Sequence, residues 1–212
     1  MKALLLVNGD FDDSSRLYCE QLQPDLIVAV DGGLQHCNTL GLQPDVLIGD
    51  MDSALEDDVR QLDTATTTIH RHKPEKDQTD LELALEYLDA EGINHVWMAG
   101  FSGGRTDQML CNWLLLGQSR WSFTIDIVDA AGCGYLVTAD QGRRIKVLSG
   151  ATISLLSLTS VVNGLTTSGL RYALTDAGLP LGSSLGISNV AESDEFSVEV
   201  TSGKLLAYVN RD

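Results

Sequence analysis

Up to about residue 130, short apolar runs alternate with stretches whose apolar residues recur every three or four positions. Residues 3–7, 26–30, 46–48, 96–99 and 123–128 are apolar runs of strand length, and their near-continuous character predicts buried strands. Between them, residues 14–21, 34–40, 54–62, 80–90 and 107–118 have helical spacing or helix-favouring composition. The most regular of these puts Leu81, Ala84, Leu85 and Leu88 on one face, and Thr79-Asp80-Leu81-Glu82 supplies a capping box at its start. Strands alternating with helices predict an α/β domain built on a mostly parallel sheet with both faces covered.

Beyond that point the rhythm changes. Residues 135–139, 144–148, 153–158, 170–173, 196–200 and 205–209 form short strand-like runs with Gly, Ser, Thr and Asn between them, and no long helical stretch intervenes. Such spacing predicts a small all-β sandwich or barrel. Ala130-Ala131-Gly132-Cys133-Gly134 reads as a junction. The expected organisation is therefore an α/β domain over residues 1–134 and an all-β domain over residues 135–212.

Charge narrows the function. The chain has 212 residues, with 14 Lys and Arg against 30 Asp and Glu, a net charge of −16. A surface this acidic repels nucleic acid and anionic membranes, so neither is an expected partner. An anionic nucleotide fits only if metal cations accompany it. Cys19, Cys37, Cys111 and Cys133 show no CxxC spacing, which argues against zinc or a disulfide framework. The apolar start is too short for a signal-peptide core, and no run reaches membrane-spanning length. The expected location is the cytoplasm.

The chemistry gathers at predicted strand ends. Asp31-Gly32-Gly33 follows the second apolar run, Gly49-Asp50-Met51-Asp52-Ser53 the third, and Gly103-Gly104-Arg105-Thr106-Asp107 the fourth. In open α/β sheets, ligands bind beyond the carboxyl ends of the strands, so these loops are expected to share an edge. Glycine there permits positive φ and lets a phosphate approach backbone N–H groups. Asp50 and Asp52 on one short loop can point toward one centre, with Asp31 and Asp80 approaching from neighbouring element ends. Clustered carboxylates repel one another unless a cation compensates, and an oxygen-only ligand set favours Mg²⁺.

Each residue also has an ordinary reading. Asp80 suits the first turn of a helix, and Asp50 and Asp52 suit the cap of a helix beginning near Ala54. Lys76 fits a phosphate or a neighbouring aspartate equally well, whereas Arg105 has the fork geometry to grip phosphate oxygens. Asp10, Asp12 and Asp13 read as a solvated charge run. His70 and His72 flank Arg71 without further metal ligands nearby, and Trp97 and Trp113 fall on packing positions. No Walker A lysine motif and no Gly-x-Ser-x-Gly elbow occur.

The ordered set Asp31-Gly32-Gly33, Pro44-Asp45-Val46-Leu47-Ile48-Gly49-Asp50-Met51-Asp52-Ser53, Lys76-Asp77-Gln78-Thr79-Asp80 and Gly103-Gly104-Arg105-Thr106-Asp107 closely resembles the thiamine pyrophosphokinase family. Gly169-Leu170-Arg171-Tyr172-Ala173-Leu174 and Gly186-Ile187-Ser188-Asn189 extend the resemblance over nearly the whole chain. It implies an α/β nucleotide-binding domain followed by a β-sandwich, in a homodimer. The implied reaction moves the terminal diphosphate of ATP to the hydroxyl of thiamine and releases AMP.

By the same resemblance Asp31, Asp50, Asp52 and Asp80 are metal and phosphate-site residues, with Arg105 and Asp107 at the same centre. Gly32, Gly33, Lys76, Gln78 and Thr79 join the nucleotide site. Ser188 and Asn189 fall near thiamine, in a pocket completed by the partner subunit. Gln108 stands where the family commonly has His, and receives no acid–base role. Either Asp107 or Asp80 can accept the hydroxyl proton. Two rivals are a diphosphokinase for another alcohol, such as a pterin, and a non-catalytic nucleotide-sensing module. The Gly186–Asn189 element disfavours the first, and the complete carboxylate set the second.

Overall fold

The computed structural model describes residues 1–51, 56–62, 65–73, 75–118 and 121–211. The chain forms two compact units: Met1–Leu115 with Arg120–Ala130, and Leu116–Ser119 with Ala131–Asp212. None of the described helices is long and apolar enough to cross a membrane.

Among the described residues, the first unit carries six strands: β1 (Lys2–Leu6), β2 (Leu26–Val30), β3 (Val46–Gly49), β4 (Thr68–Arg71), β5 (His95–Ala99) and β6 (Thr124–Asp129). All pair in parallel, in the order β6-β5-β1-β2-β3-β4. Five helices connect them: α1 (Asp13–Cys19), α2 (Leu34–Leu40), α3 (Glu56–Gln61), α4 (Asp80–Ala90) and α5 (Thr106–Leu116). Ala3, Leu4, Leu5 and Leu6 are all fully buried, as a strand covered on both faces requires. Helix α4 buries Leu81, Ala84, Leu85 and Leu88, and Thr79 caps it by accepting from Glu82 N at 3.2 Å.

Two local expectations change. Strand β4 has no long apolar run; its four residues are exposed or half-buried at the sheet edge, which removes the apolar signature. Asp12 is not merely solvated, because its carboxylate caps α1 by accepting from Ser15 N at 2.8 Å.

The second unit contains β7 (Gly132–Thr138), β8 (Arg143–Lys146), β9 (Thr152–Ser157), β10 (Val161–Ser168), β11 (Ala177–Pro180), β12 (Asn189–Val190), β13 (Glu195–Glu199) and β14 (Lys204–Asn210). Antiparallel neighbours run β12-β9-β14-β7 and β11-β10-β13-β8. Ile153, Leu155, Leu205 and Ala207 from the first set share a core with Ile145, Val162, Leu165, Phe196 and Val198 from the second, so the unit is a sandwich. Residues 170–173 form a bridge and turn instead of a strand, whereas β10 is eight residues long. Strand β10 alternates exposed and buried positions, and its Thr-, Asn- and Gly-rich outer face hid it from an apolar-run reading.

Candidate active site

The parallel sheet reverses its strand order between β1 and β5. β1 leads to β2, β3 and β4 on one side, and the chain then returns to place β5 and β6 on the other. Ligands in open α/β sheets bind beyond the strand ends at such a reversal. A cavity of about 490 Å³ lies there, lined by Val7, Asn8, Val30, Asp31, Asp50, Thr79, Asp80, Leu81, Gly104, Arg105, Gln108 and Asn112. That volume suits one small-molecule substrate.

Three carboxylates meet in it. Asp31, Asp50 and Asp80 each offer an oxygen, and these atoms lie within 4.8 Å of one another. Their placement has a backbone origin. Asp31 adopts φ 47° and Met51 φ 67°, left-handed conformations that cost free energy in residues with a side chain. The turn at Met51 brings its N–H to Asp31 Oδ1 at 3.0 Å, tying the end of β3 to the end of β2. A Cβ on Gly49 would lie 2.0 Å from the same Asp31 Oδ1, so glycine is required for the carboxylate to sit there. Asp45 anchors the start of β3 by accepting from Ile27 N at 2.7 Å.

Cationic side chains flank the group. Lys76 Nζ donates to Asp80 Oδ1 at 2.5 Å, with both side chains largely buried. Arg105 holds Asp107 through two hydrogen bonds, Nη2 to Oδ2 at 2.6 Å and Nε to Oδ1 at 3.2 Å. That bond and charge hold the Asp107 carboxyl below its ordinary range and push the Arg105 guanidinium up. Both side chains are about two-thirds exposed, so the pair is solvent-screened and easily exchanged for a ligand anion.

The loop after β1 is fixed to the loop after β5. Val7 N donates to Ala99 O at 2.9 Å, Gly9 N to Gly100 O at 2.7 Å and Asp10 N to Ser102 O at 2.7 Å. His36 braces it from α2: its ring stacks on Phe11, 4.6 Å between centroids, and Nε2 lies 3.0 Å from Gly9 O. A carbonyl only accepts, so that nitrogen carries the proton. Burial lowers the His36 pKa, with the Gly9 and Val7 carbonyls opposing.

The cavity thus brings together Asp31, Asp50, Thr79, Asp80 and Arg105, all named from sequence. Asp107 meets it only through Arg105. Gln78 instead donates to Glu86 on α4 at 2.6 Å. Gly32 and Gly33 are buried, and the space a Cβ would need is filled by the Asn8 carboxamide and the Leu6 carbonyl. Asp52 lies outside the described residues. Ser188 and Asn189 belong to the second unit. Ser188 is exposed, with φ 59°. Asn189 is buried, its Oδ1 accepting from Tyr172 N at 3.0 Å and Val190 N at 2.9 Å while Nδ2 donates to Tyr172 O at 2.9 Å.

Sequence reasoning missed Asn8 and Asn112 and gave Gln108 no role. A signal existed at α5, where Arg105, immediately before the helix, and Gln108 and Asn112 within it fall at i, i+3 and i+7, the spacing of one helical face.

Comparison with known proteins agrees with this geometry. Residues 20–128 match the family model for the thiamin pyrophosphokinase catalytic domain, and residues 140–205 the model for its vitamin B1 binding domain. A thiamine pyrophosphokinase of Bacillus subtilis is 30% identical over 172 residues, 77% of each chain. The solved Bacillus subtilis enzyme superposes with a TM-score of 0.85 at 24% identity, covering all of both chains. The Geobacillus thermodenitrificans enzyme does so at 0.81 and 25%, covering all of this chain and 98% of that one. The chain belongs to the thiamine pyrophosphokinase family.

Proposed function

We propose that the protein transfers the terminal diphosphate of ATP to the hydroxyl oxygen of thiamine, producing thiamine diphosphate and AMP. The observation that carries this reading is the cavity at the sheet reversal, where three carboxylates and a guanidinium line space for one small molecule. Oxygen donors in that number suit Mg²⁺, which keeps several waters and binds substrate phosphates. Asp31, Asp50 and Asp80 would hold it, with Asp52 as a further donor. When bound, the metal neutralises charge on the transferring diphosphate.

The chain's own groups do the rest. Arg105 exchanges Asp107 for a phosphate oxygen, trading one carboxylate partner for another anion with the same fork geometry. The loops after β1 and β5, joined by their backbone hydrogen bonds, hold the polyphosphate in line. The thiamine oxygen forms a bond to the β-phosphorus as the bond from that phosphorus to the α,β-bridging oxygen breaks. AMP leaves with that oxygen, and the hydroxyl proton passes to a carboxylate. Asp107 is a weak acceptor while Arg105 holds it, so it takes this role only after the guanidinium has moved to phosphate.

Thiamine carries a fixed positive charge, which a net charge of −16 attracts. Leu181, Leu185 and Ile187, in the segment leading to Ser188, are exposed apolar side chains of a kind that suits a second chain and the substrate ring. A homodimer sharing its thiamine pocket is the assembly we favour, and four free cysteines suit a reducing cytoplasm. Chromatography of the products from ATP, Mg²⁺ and thiamine tests the reaction. Equal amounts of AMP and thiamine diphosphate are expected; ADP with thiamine monophosphate would overturn it.

A further inference from the structure

We infer that Asn8 is a polyphosphate-binding residue of this site, a deepening that rests on the reaction proposed above. Strand β1 lies between β5 and β2, so its loop falls between the Gly104-Arg105 loop and Asp31. Asn8 is the polar side chain there that lines the cavity, between the guanidinium end and the carboxylate end. A chain of phosphates reaching from metal to arginine passes over it.

The packing around Asn8 is specific. A Cβ on Gly32 would lie 2.2 Å from Asn8 Oδ1, 2.4 Å from Cγ and 2.7 Å from Nδ2. The carboxamide therefore rests directly over the Gly32 backbone, next to Asp31. Gly32 has no positive φ, so its missing side chain is needed for space and not for backbone freedom. Glycine at 32 thus serves Asn8. Hydrogen bonds from Val7 to the end of β5, and from Gly9 and Asp10 to the loop after it, fix the backbone on both sides of Asn8. Among the described residues, no protein group is paired with that carboxamide.

The residue type suits the position. An amide N–H donates to a phosphate oxygen without adding a cation that would compete with metal at Asp31. A lysine there would pair with Asp31, and an aspartate would repel the phosphates. A hydrogen bond to a charged group, once lost, weakens binding by about tenfold or more.

The test uses the full chain and α,β-methylene-ATP with Mg²⁺, an analogue whose bridging bond does not break. Titration calorimetry should show Asn8→Ala binding it about tenfold more weakly than the original chain, with Asn8→Ser between them. In turnover, KM for MgATP should rise while KM for thiamine stays within about twofold. Gly32→Ala should reproduce the Asn8→Ala loss, and the double variant should be no worse than Asn8→Ala alone, because the added Cβ acts by displacing Asn8. Unchanged analogue binding by both Asn8 variants would overturn the inference while leaving the reaction intact. An original chain that binds no nucleotide analogue would instead overturn the reaction itself.

Discussion

Replacing Asp50 by Asn keeps the shape of the side chain and removes one charge from a group of three. The carboxylate oxygens of Asp31, Asp50 and Asp80 lie within 4.8 Å of one another, so each ionised pair repels by at least ~0.9 kcal/mol in bulk water and ~3.5 kcal/mol at an effective dielectric near 20. Lys76 on Asp80 offsets most of that residue's share, leaving essentially the Asp31–Asp50 pair. Relief of about 1–3 kcal/mol follows, and at about 2–4 °C per kcal/mol for a chain of this size the Tm without metal should rise by roughly 2–12 °C. The same change removes a ligand, so the stabilisation that millimolar Mg²⁺ gives the original chain should shrink or vanish. Turnover should fall by at least about a hundredfold. Scanning fluorimetry in EDTA and in Mg²⁺, beside product assays, measures all three. A lower Tm in EDTA together with an undiminished response to Mg²⁺ would refute the reasoning.

Arg105→Ala should cut kcat about a hundredfold or more, while Arg105 and Asp107 variants leave Tm within about 2 °C, because their ion pair is exposed and screened; kinetics beside melting curves decide. Burial lowers the His36 pKa below the ordinary 6.5, so the unfolded chain binds the proton more readily. The stability linked to neutral His36 is fully present above about pH 6.5 and is lost as pH falls through and below that value; urea midpoints across pH should show a shallower acid limb for His36→Gln. Asn189→Ala removes three partly buried hydrogen bonds and should destabilise by about 2–4 kcal/mol in urea unfolding. Ser188→Ala, at an exposed position, should change KM for thiamine without moving the urea midpoint.

The α/β order and the carboxylate group were legible because both rest on local patterns. Buried parallel strands need apolar runs, and the aspartates follow those runs directly, as Asp31 follows β2 and Asp50 follows β3. Strand β4 escaped because an edge strand satisfies the sheet through its backbone alone. Asn8 escaped for a different reason. Its importance comes from β1 lying between β5 and β2, a neighbour relation across more than ninety residues of chain that no local pattern expresses. The family resemblance puts Asn189 near thiamine, and the structure adds a framework role that no local pattern expresses, its carboxamide making three hydrogen bonds to the Tyr172 and Val190 backbone.

These cases share a physical logic. The glycines of the first unit's motifs read as openings for phosphate, but most of those openings are filled by the protein: Asp31 beside Gly49, Asn8 over Gly32, the Leu6 carbonyl against Gly33 and Asp10 against Gly103. Gly104 differs, since nothing lies within 4 Å of its Cβ position and it lines the cavity. Among the described motif glycines of the first unit, Gly104 is the one that leaves open space for a ligand beside the backbone. A side chain at Gly49 or Gly32 would therefore damage the site indirectly, by moving Asp31 or Asn8. A side chain at Gly104 would act directly, because its left-handed φ of 65° strains any replacement and the added atoms would enter substrate space. Gly49→Ala should thus weaken the response to Mg²⁺ through Asp31, whereas Gly104→Ala should raise KM for ATP and leave that response in place. Equal losses of Mg²⁺ response in both variants would mean that the motif glycines act through general loop disorder instead of through the side chains they admit.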